Sequence, residues 1–227
     1  EFEGLLASQE NNRRALDKLP ELVSWCAKHG LYQQALTLLC EQMPEYICSH
    51  IFLQPTESGL KYLETRKENK GKPWVYPLFH FHFCRMALLQ QKLPYTADLR
   101  LNRNRENEDG NILFGVASTE EIHDYVNEAI DFGQLVIDHK VQRQVEGAAM
   151  LYQRVIHYRN QVNHANDNSF GLQCDRILPL DIAHIEQLLQ EVTDYLQEIR
   201  PMRPNVPQGV KALPVTMTIS AGTTPVL

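Results

Sequence analysis

The amino-acid sequence predicts an all-α fold, a multi-helix bundle followed by an extended, proline-rich C-terminal tail with room for one short strand. Three observations predict it. Apolar residues recur at three- and four-residue spacing through most of the chain, the period at which one face of a helix is buried. Start and stop residues such as Pro20, Gly30 and Asp181 stand at the edges of these runs. From Arg200 onward Pro201, Pro204, Pro207, Pro214 and Pro225 rule out a continuing helix. The predicted division is a helical domain over 1–199 and a tail over 200–227.

Taken in order, Leu19 to Ala27 is apolar on one face, with Pro20 at a favoured first helical position and Gly30 as a stop. A second helix follows from Leu31 to about Ser49, with Ala35, Leu38, Leu39 and Met43 as its buried stripe; Pro44 should kink or divide it. The two form a helical hairpin. Glu57 to Lys70 reads as a charged, exposed helix ending near Gly71, and Trp74 to Leu93 as a buried one. The polar stretch Tyr95 to Asn111 reads as a loop. Ser118 or Thr119 caps a helix from about Glu120 to Ile137, because a hydroxyl there precedes acidic first-turn residues. The central helix runs from about Lys140 to Ala165 and ends at Asn166-Asp167-Asn168-Ser169. Asp181 opens the last amphipathic helix, which carries Ile182, Ile185, Leu188, Leu189, Val192 and Leu196 to Ile199. Val215 to Ile219 alternates and is the candidate short strand.

Composition narrows the function. The chain has 227 residues, enough to bury a sizeable core, and 43% hydrophobic against 22% charged residues marks an ordinary globular protein. No run approaches the ~18 apolar residues of a membrane span. The sequence opens without Met or a secretory leader, which predicts a piece of a longer protein. Five scattered cysteines (Cys26, Cys40, Cys48, Cys84, Cys174) without a Cys-x-x-Cys pair predict reduced thiols and a cytosolic origin. A net charge of -6 argues against nonspecific coating of nucleic acid, though not against a local basic cleft.

The central helix carries the chemistry. At ~100° per residue, Val145, Ala149, Tyr152 and Ile156 form one stripe, and its continuation reaches Arg159 and Asn163. Asn160 and His164 form the neighbouring stripe. An apolar face thus turns polar within one helix, and such breaks in pattern are where functional sites are expected. A buried hydrogen-bond network would look the same. The residue types suit RNA cleavage by attack of the 2'-hydroxyl on the adjacent phosphorus. Histidine exchanges protons near neutral pH, arginine offers a forked set of donors to phosphate oxygens, and the Asn amides can orient either. No paired carboxylates accompany them to hold a divalent metal, so no metal or other cofactor is expected. One Arg and one His make a sparse site, which a two-fold homodimer would double.

The motif Arg159-Asn160-x-x-Asn163-His164 resembles the Arg-x4-His motif of the HEPN superfamily of ribonucleases. The segment His29-Gly30-Leu31-Tyr32-Gln33-Gln34-Ala35-Leu36-Thr37-Leu38, continuing to Glu41 and Pro44-Glu45, resembles the signature of HEPN ribonucleases associated with type III CRISPR systems, which pair a CARF sensing domain with a C-terminal HEPN domain. The resemblance spans roughly Leu19 to Ile199. It implies an HEPN-type bundle and a homodimeric, metal-independent endoribonuclease for single-stranded RNA in antiviral defence. It also implies activation by a cyclic oligoadenylate bound to the CARF domain. Arg159 and His164 carry over as catalytic, with Asn160 and Asn163 in support. No CARF portion is evident, for strand–helix alternation and a glycine-rich turn are lacking, so no activator-binding residue can be assigned. Two alternatives stay open: a free-standing HEPN toxin held by an antitoxin, and a non-catalytic helical dimerisation or binding module.

Other residues carry less. Arg154 and His157 share the motif's helix and are RNA-contact candidates, and Lys140 and Arg143 could extend the basic track. His80, His82 and Cys84 could suggest zinc, but a zinc site needs at least three ligands and the surroundings read as helical core. Arg100, Arg103 and Arg105, interleaved with Asn and Glu, read as a solvated loop. His123, His139 and His184 carry no signal beyond that of surface histidines.

Overall fold

A computed structural model of the chain describes residues 16–64, 69–80, 83, 119–163 and 181–219. They form a mostly α-helical, multi-helix bundle with one small two-stranded sheet. The elements are α1 (Leu19–Lys28), α2 (Tyr32–His50), β1 (Leu53–Pro55), α3 (Glu57–Glu64), the single turn α4 (Val75–Pro77), α5 (Thr119–Asp131), β2 (Leu135–Ile137), α6 (Gln142–Asn163) and α7 (Ile182–Ile199). A 3-10 turn, His139–Val141, leads into α6. Among the described residues no helix is long and apolar enough to cross a membrane.

Local chemistry accounts for the ends of α1 and α7. Pro20 sits in the first turn of α1, and Gly30, at φ 70°, turns the chain into α2. The Asp181 carboxylate accepts from the Ala183 amide at 3.2 Å and caps α7. In α2, Ala35, Leu39 and Met43 are buried as the spacing predicts, and Leu38 is half-buried. Ile182, by contrast, is 59% exposed. It stands in the first turn of α7, before the helix meets its neighbours.

The helix crossings share one direction logic. Tyr152 on α6 meets Cys40 on α2, and Asn163 meets Gln33, so α6 runs antiparallel to α2. Tyr195 on α7 donates to the Gln144 carbonyl and Arg154 pairs with Glu191, so α7 is antiparallel to α6 as well. The core is filled by Leu36, Leu39, Met43, Tyr46 and Ile47 of α2 with Val155 and Tyr158 of α6 and Leu188, Val192 and Leu196 of α7.

Three expectations are corrected. The helix beginning at Thr119 stops at Asp131 rather than running to Ile137, because Gly133 (φ 63°) turns the chain and Leu135–Ile137 pairs antiparallel with Leu53–Pro55. Glu57–Glu64 is a helix, but Lys70 lies beyond it, in the turn to Gly71. Of the two outcomes expected at Pro44, division does not occur: α2 is one helix from Tyr32 to His50. Proline lacks the N–H that the Cys40 carbonyl needs and crowds the preceding turn. Two tyrosines answer this. The Tyr152 hydroxyl donates to the Cys40 carbonyl at 2.9 Å, and the Tyr76 hydroxyl donates to the Glu41 carbonyl at 2.5 Å.

Over residues 201–219 the tail is non-helical, as its prolines require, with turns at 207–210 and 214–217, and it lies on the body. Leu213 N–H donates to Gln54 Oε1 at 2.9 Å, Gln54 Nε2 to the Lys211 carbonyl at 2.9 Å, and Trp74 Nε1 to the Pro214 carbonyl at 3.0 Å. At the expected short strand a single bridge, between Thr218 and Pro73, is formed among the described residues, and Ile219 is buried against the core. The predicted loop over 95–111 and the helix end at 166–169 lie outside the described residues.

Candidate active site at one end of the bundle

The last turn of α6, the first turn of α2 and the start of α7 meet at one end of the bundle. Burial along α6 follows Val145, Ala148, Ala149, Tyr152, Val155 and Tyr158, and this face delivers Arg159 to the end. Ile156, expected in the buried stripe, is only half-buried. Arg159 sits where the pattern calls for an apolar residue, and it is half-buried there.

Its guanidinium hydrogen-bonds the Cys40 sulfur. Burial pushes the Cys40 thiol up to about 11, while the Arg159 charge pulls the other way, so the sulfur is a neutral thiol at physiological pH. Arg159 Nη1 donates to Asn160 Oδ1 at 3.1 Å. Among the described residues Arg159 Nε, which is buried, has no hydrogen-bond partner, and in the same turn the buried Gln161 Oε1 has none either. Leaving a buried polar group unpaired costs about 1–3 kcal/mol, so two in one helical turn require an explanation.

The neighbouring amides are organised. Asn163 is exposed and its Oδ1 accepts from Gln33 Nε2 at 3.0 Å, tying the end of α6 to the start of α2. Beside them the Tyr32 hydroxyl donates to Glu186 Oε1 at 2.5 Å, which adds the first turns of α7 to the cluster. Arg159, Asn160 and Asn163 are therefore brought together with Gln33, a residue of the hairpin segment. His164 lies one position past the described part of α6.

Arg154 is paired with Glu191 of α7. His157 is half-buried, its ring edge-on to Tyr158 at 6.1 Å, and burial lowers its pKa from the usual 6.5. It is therefore a neutral imidazole near pH 7. Among the described residues no three His, Cys, Asp or Glu side chains form a group that could hold a metal ion. His82, Cys84, Arg100, Arg103 and Arg105 lie outside the described residues. Cys26, Cys40 and Cys48 are buried free thiols.

One polar network escaped the sequence reading. His123 is no isolated surface histidine: its Nδ1 lies 2.6 Å from Oε1 of Glu146, a carboxylate that is 1% exposed. Arg143 Nη1 donates to Glu146 Oε2 at 2.9 Å, and Gln142 Nε2 to Glu146 Oε1 at 2.9 Å. Asn127 bridges His123 and Gln142. This network joins α5 to α6 and consumes Arg143, which the basic track would have used. The signal was available in Glu146 itself, an acidic residue inside the apolar run from Val145 to Ala149.

Comparison with protein-family models, with curated proteins and with solved structures finds no match.

Proposed function

We propose that the protein is a metal-independent endoribonuclease that cleaves single-stranded RNA, with Arg159 and His164 as its catalytic pair and Asn160 and Asn163 in support. One observation carries the reading: a half-buried arginine at a bundle end whose Nε has no acceptor among the described residues. A guanidinium one acceptor short is primed for an oxyanion, and phosphate matches its forked donors.

In the proposed reaction His164 takes the proton of the RNA 2'-hydroxyl. That oxygen attacks the adjacent phosphorus, and the 5'-oxygen leaves and is protonated. The products are a 2',3'-cyclic phosphate and a 5'-hydroxyl. Arg159 stabilises the extra negative charge on the phosphoryl oxygens as it develops. A homodimer supplies two such pairs, and a cyclic oligoadenylate acting on a CARF domain is the proposed control, in keeping with the resemblance of the hairpin and helix-end segments.

The test is cleavage of a labelled, unstructured RNA in EDTA. Arg159→Ala and His164→Ala are each expected to lower the rate by at least about a hundredfold, the lower range for a positioned acid–base or oxyanion group. Undiminished cleavage in both variants removes the mechanism.

A non-catalytic reading has its own support, since the Arg159–Cys40 and Asn163–Gln33 contacts fasten α6 to α2. It expects Arg159→Ala to lower thermal stability while neither it nor the unaltered chain turns over RNA.

A further inference from the structure

At the opposite end of α2, roughly 28 Å away for nineteen residues at 1.5 Å each, a cleft of about 400 Å³ opens between the start of α1, the end of α2 and the start of the tail. It is lined by Asp17, Ser49, His50, Arg200 and Arg203 among others. Nothing in the proposed ribonuclease chemistry uses these residues.

The wall is built rather than incidental. His50 is buried, stacked on Tyr46 with ring centroids 4.4 Å apart. Its Nδ1 lies 2.9 Å from the Tyr46 carbonyl, an acceptor only, so the proton sits on Nδ1. In that tautomer of the neutral ring Nε2 is the nitrogen able to accept, and His50 is among the residues lining the cleft. The Ser49 hydroxyl sits against the same Nδ1 at 2.9 Å. Arg200 is held by three groups: its Nη2 donates to the Asp17 carbonyl at 2.8 Å and to Glu21 Oε2 at 2.6 Å, and it hydrogen-bonds the Tyr46 hydroxyl. Its Nε is nevertheless buried with no acceptor among the described residues. Arg203 is exposed, and among the described residues its Nη1 donates to the Arg200 and Met202 carbonyls, at 3.1 and 2.7 Å.

We infer that this cleft binds a small phosphomonoester carrying a hydroxyl group near its phosphate, of the sugar-phosphate class. Two guanidinium groups, one of them held in place yet one acceptor short, favour a phosphate over a neutral ligand. A singly protonated phosphate suits His50, because its P–O–H can donate to Nε2. Asp17 decides between ligands. Its carboxylate repels a bare dianion but accepts from a hydroxyl, so a phosphate that brings a hydroxyl binds better than phosphate alone.

The test is titration calorimetry of the full chain with inorganic phosphate, ribose 5-phosphate and ribose. Ribose 5-phosphate is expected to bind, phosphate to bind more weakly, and ribose to give no heat. Arg203→Ala, with an unchanged melting temperature, is expected to weaken ribose 5-phosphate roughly tenfold. Asp17→Asn should abolish the preference for ribose 5-phosphate over phosphate. Arg203→Gln repeats the measurement should the alanine variant prove unstable. The inference is overturned if neither phosphate ligand binds at millimolar concentration, if ribose binds as well as its phosphate, or if affinity is unchanged in the Arg203 variants. A preference that survives Asp17→Asn overturns the role of the hydroxyl. None of these readouts involves RNA cleavage.

Discussion

The Tyr152 hydroxyl links the fold to the candidate site. It satisfies the carbonyl that Pro44 leaves without a partner, and the residue bearing that carbonyl, Cys40, holds Arg159 through its sulfur. Removing the hydroxyl in Tyr152→Phe strands a buried acceptor and should cost about 1–2 kcal/mol. In a Pro44→Ala background the restored amide can take that carbonyl, so most of the cost should vanish. A double-mutant cycle in urea measures the coupling, and strict additivity would contradict the pairing. His157 makes a second prediction. Burial depresses its pKa in the folded state, so the unfolded chain binds its proton first as the pH falls below about 6.5. Stability is therefore complete above that pH and declines below it. His157→Gln should remove that part of the acid loss in denaturation series at neutral and mildly acid pH; an identical profile in the variant would refute the assignment. Of the candidate site, the sequence showed that Arg159 and Asn163 interrupt an apolar stripe. It did not show their partners, because Cys40 and Gln33 are more than a hundred residues away and only the antiparallel crossing of α2 and α6 brings them near.

Elements bounded by local chemistry were legible, and those bounded by tertiary contact were not. Asp181, Gly30 and Pro20 act within one turn of themselves, so α1 and α7 could be read almost to the residue. β2 is three apolar residues that continue the stripe of α5, and only its pairing with β1 reveals a strand. Gly133 was the overlooked warning, since its φ of 63° is the conformation that ends helices. Gly59, in the first turn of α3, shows how tightly this corner is built. A Cβ there would lie 2.0 Å from the Gln134 carbonyl oxygen, which already accepts from the Thr56 amide at 3.0 Å. Alanine would normally gain up to ~1 kcal/mol over glycine in a helix. Here the clash is with fixed backbone, so Gly59→Ala should instead destabilise by about 2 kcal/mol, within the usual range for overpacking. Thermal unfolding decides the sign, and a stabilised variant would show that the corner can yield.

At the scale of the molecule, the C-terminal segment belongs to the body that its composition seemed to leave. Pro201 to Pro214 explain why it is not helical, but Gln54, Trp74 and the core around Ile219 hold it in place. Removing residues 205–227 should therefore uncover Trp74 and lower the melting temperature by several degrees, as a loss of one or two kcal/mol does in a chain of this size. An unshifted transition would mean that these bonds contribute nothing net. The same placement makes the protein its own optical gauge. The chain has two tryptophans: Trp74, 1% exposed beneath the tail, and Trp25, 40% exposed with its ring stacked 4.3 Å from His29. A soluble quencher reaches the second and not the first, so light from Trp74 dims only when the tail lifts. Lifting of the tail and events at the hairpin can thus be timed separately in one unlabelled sample.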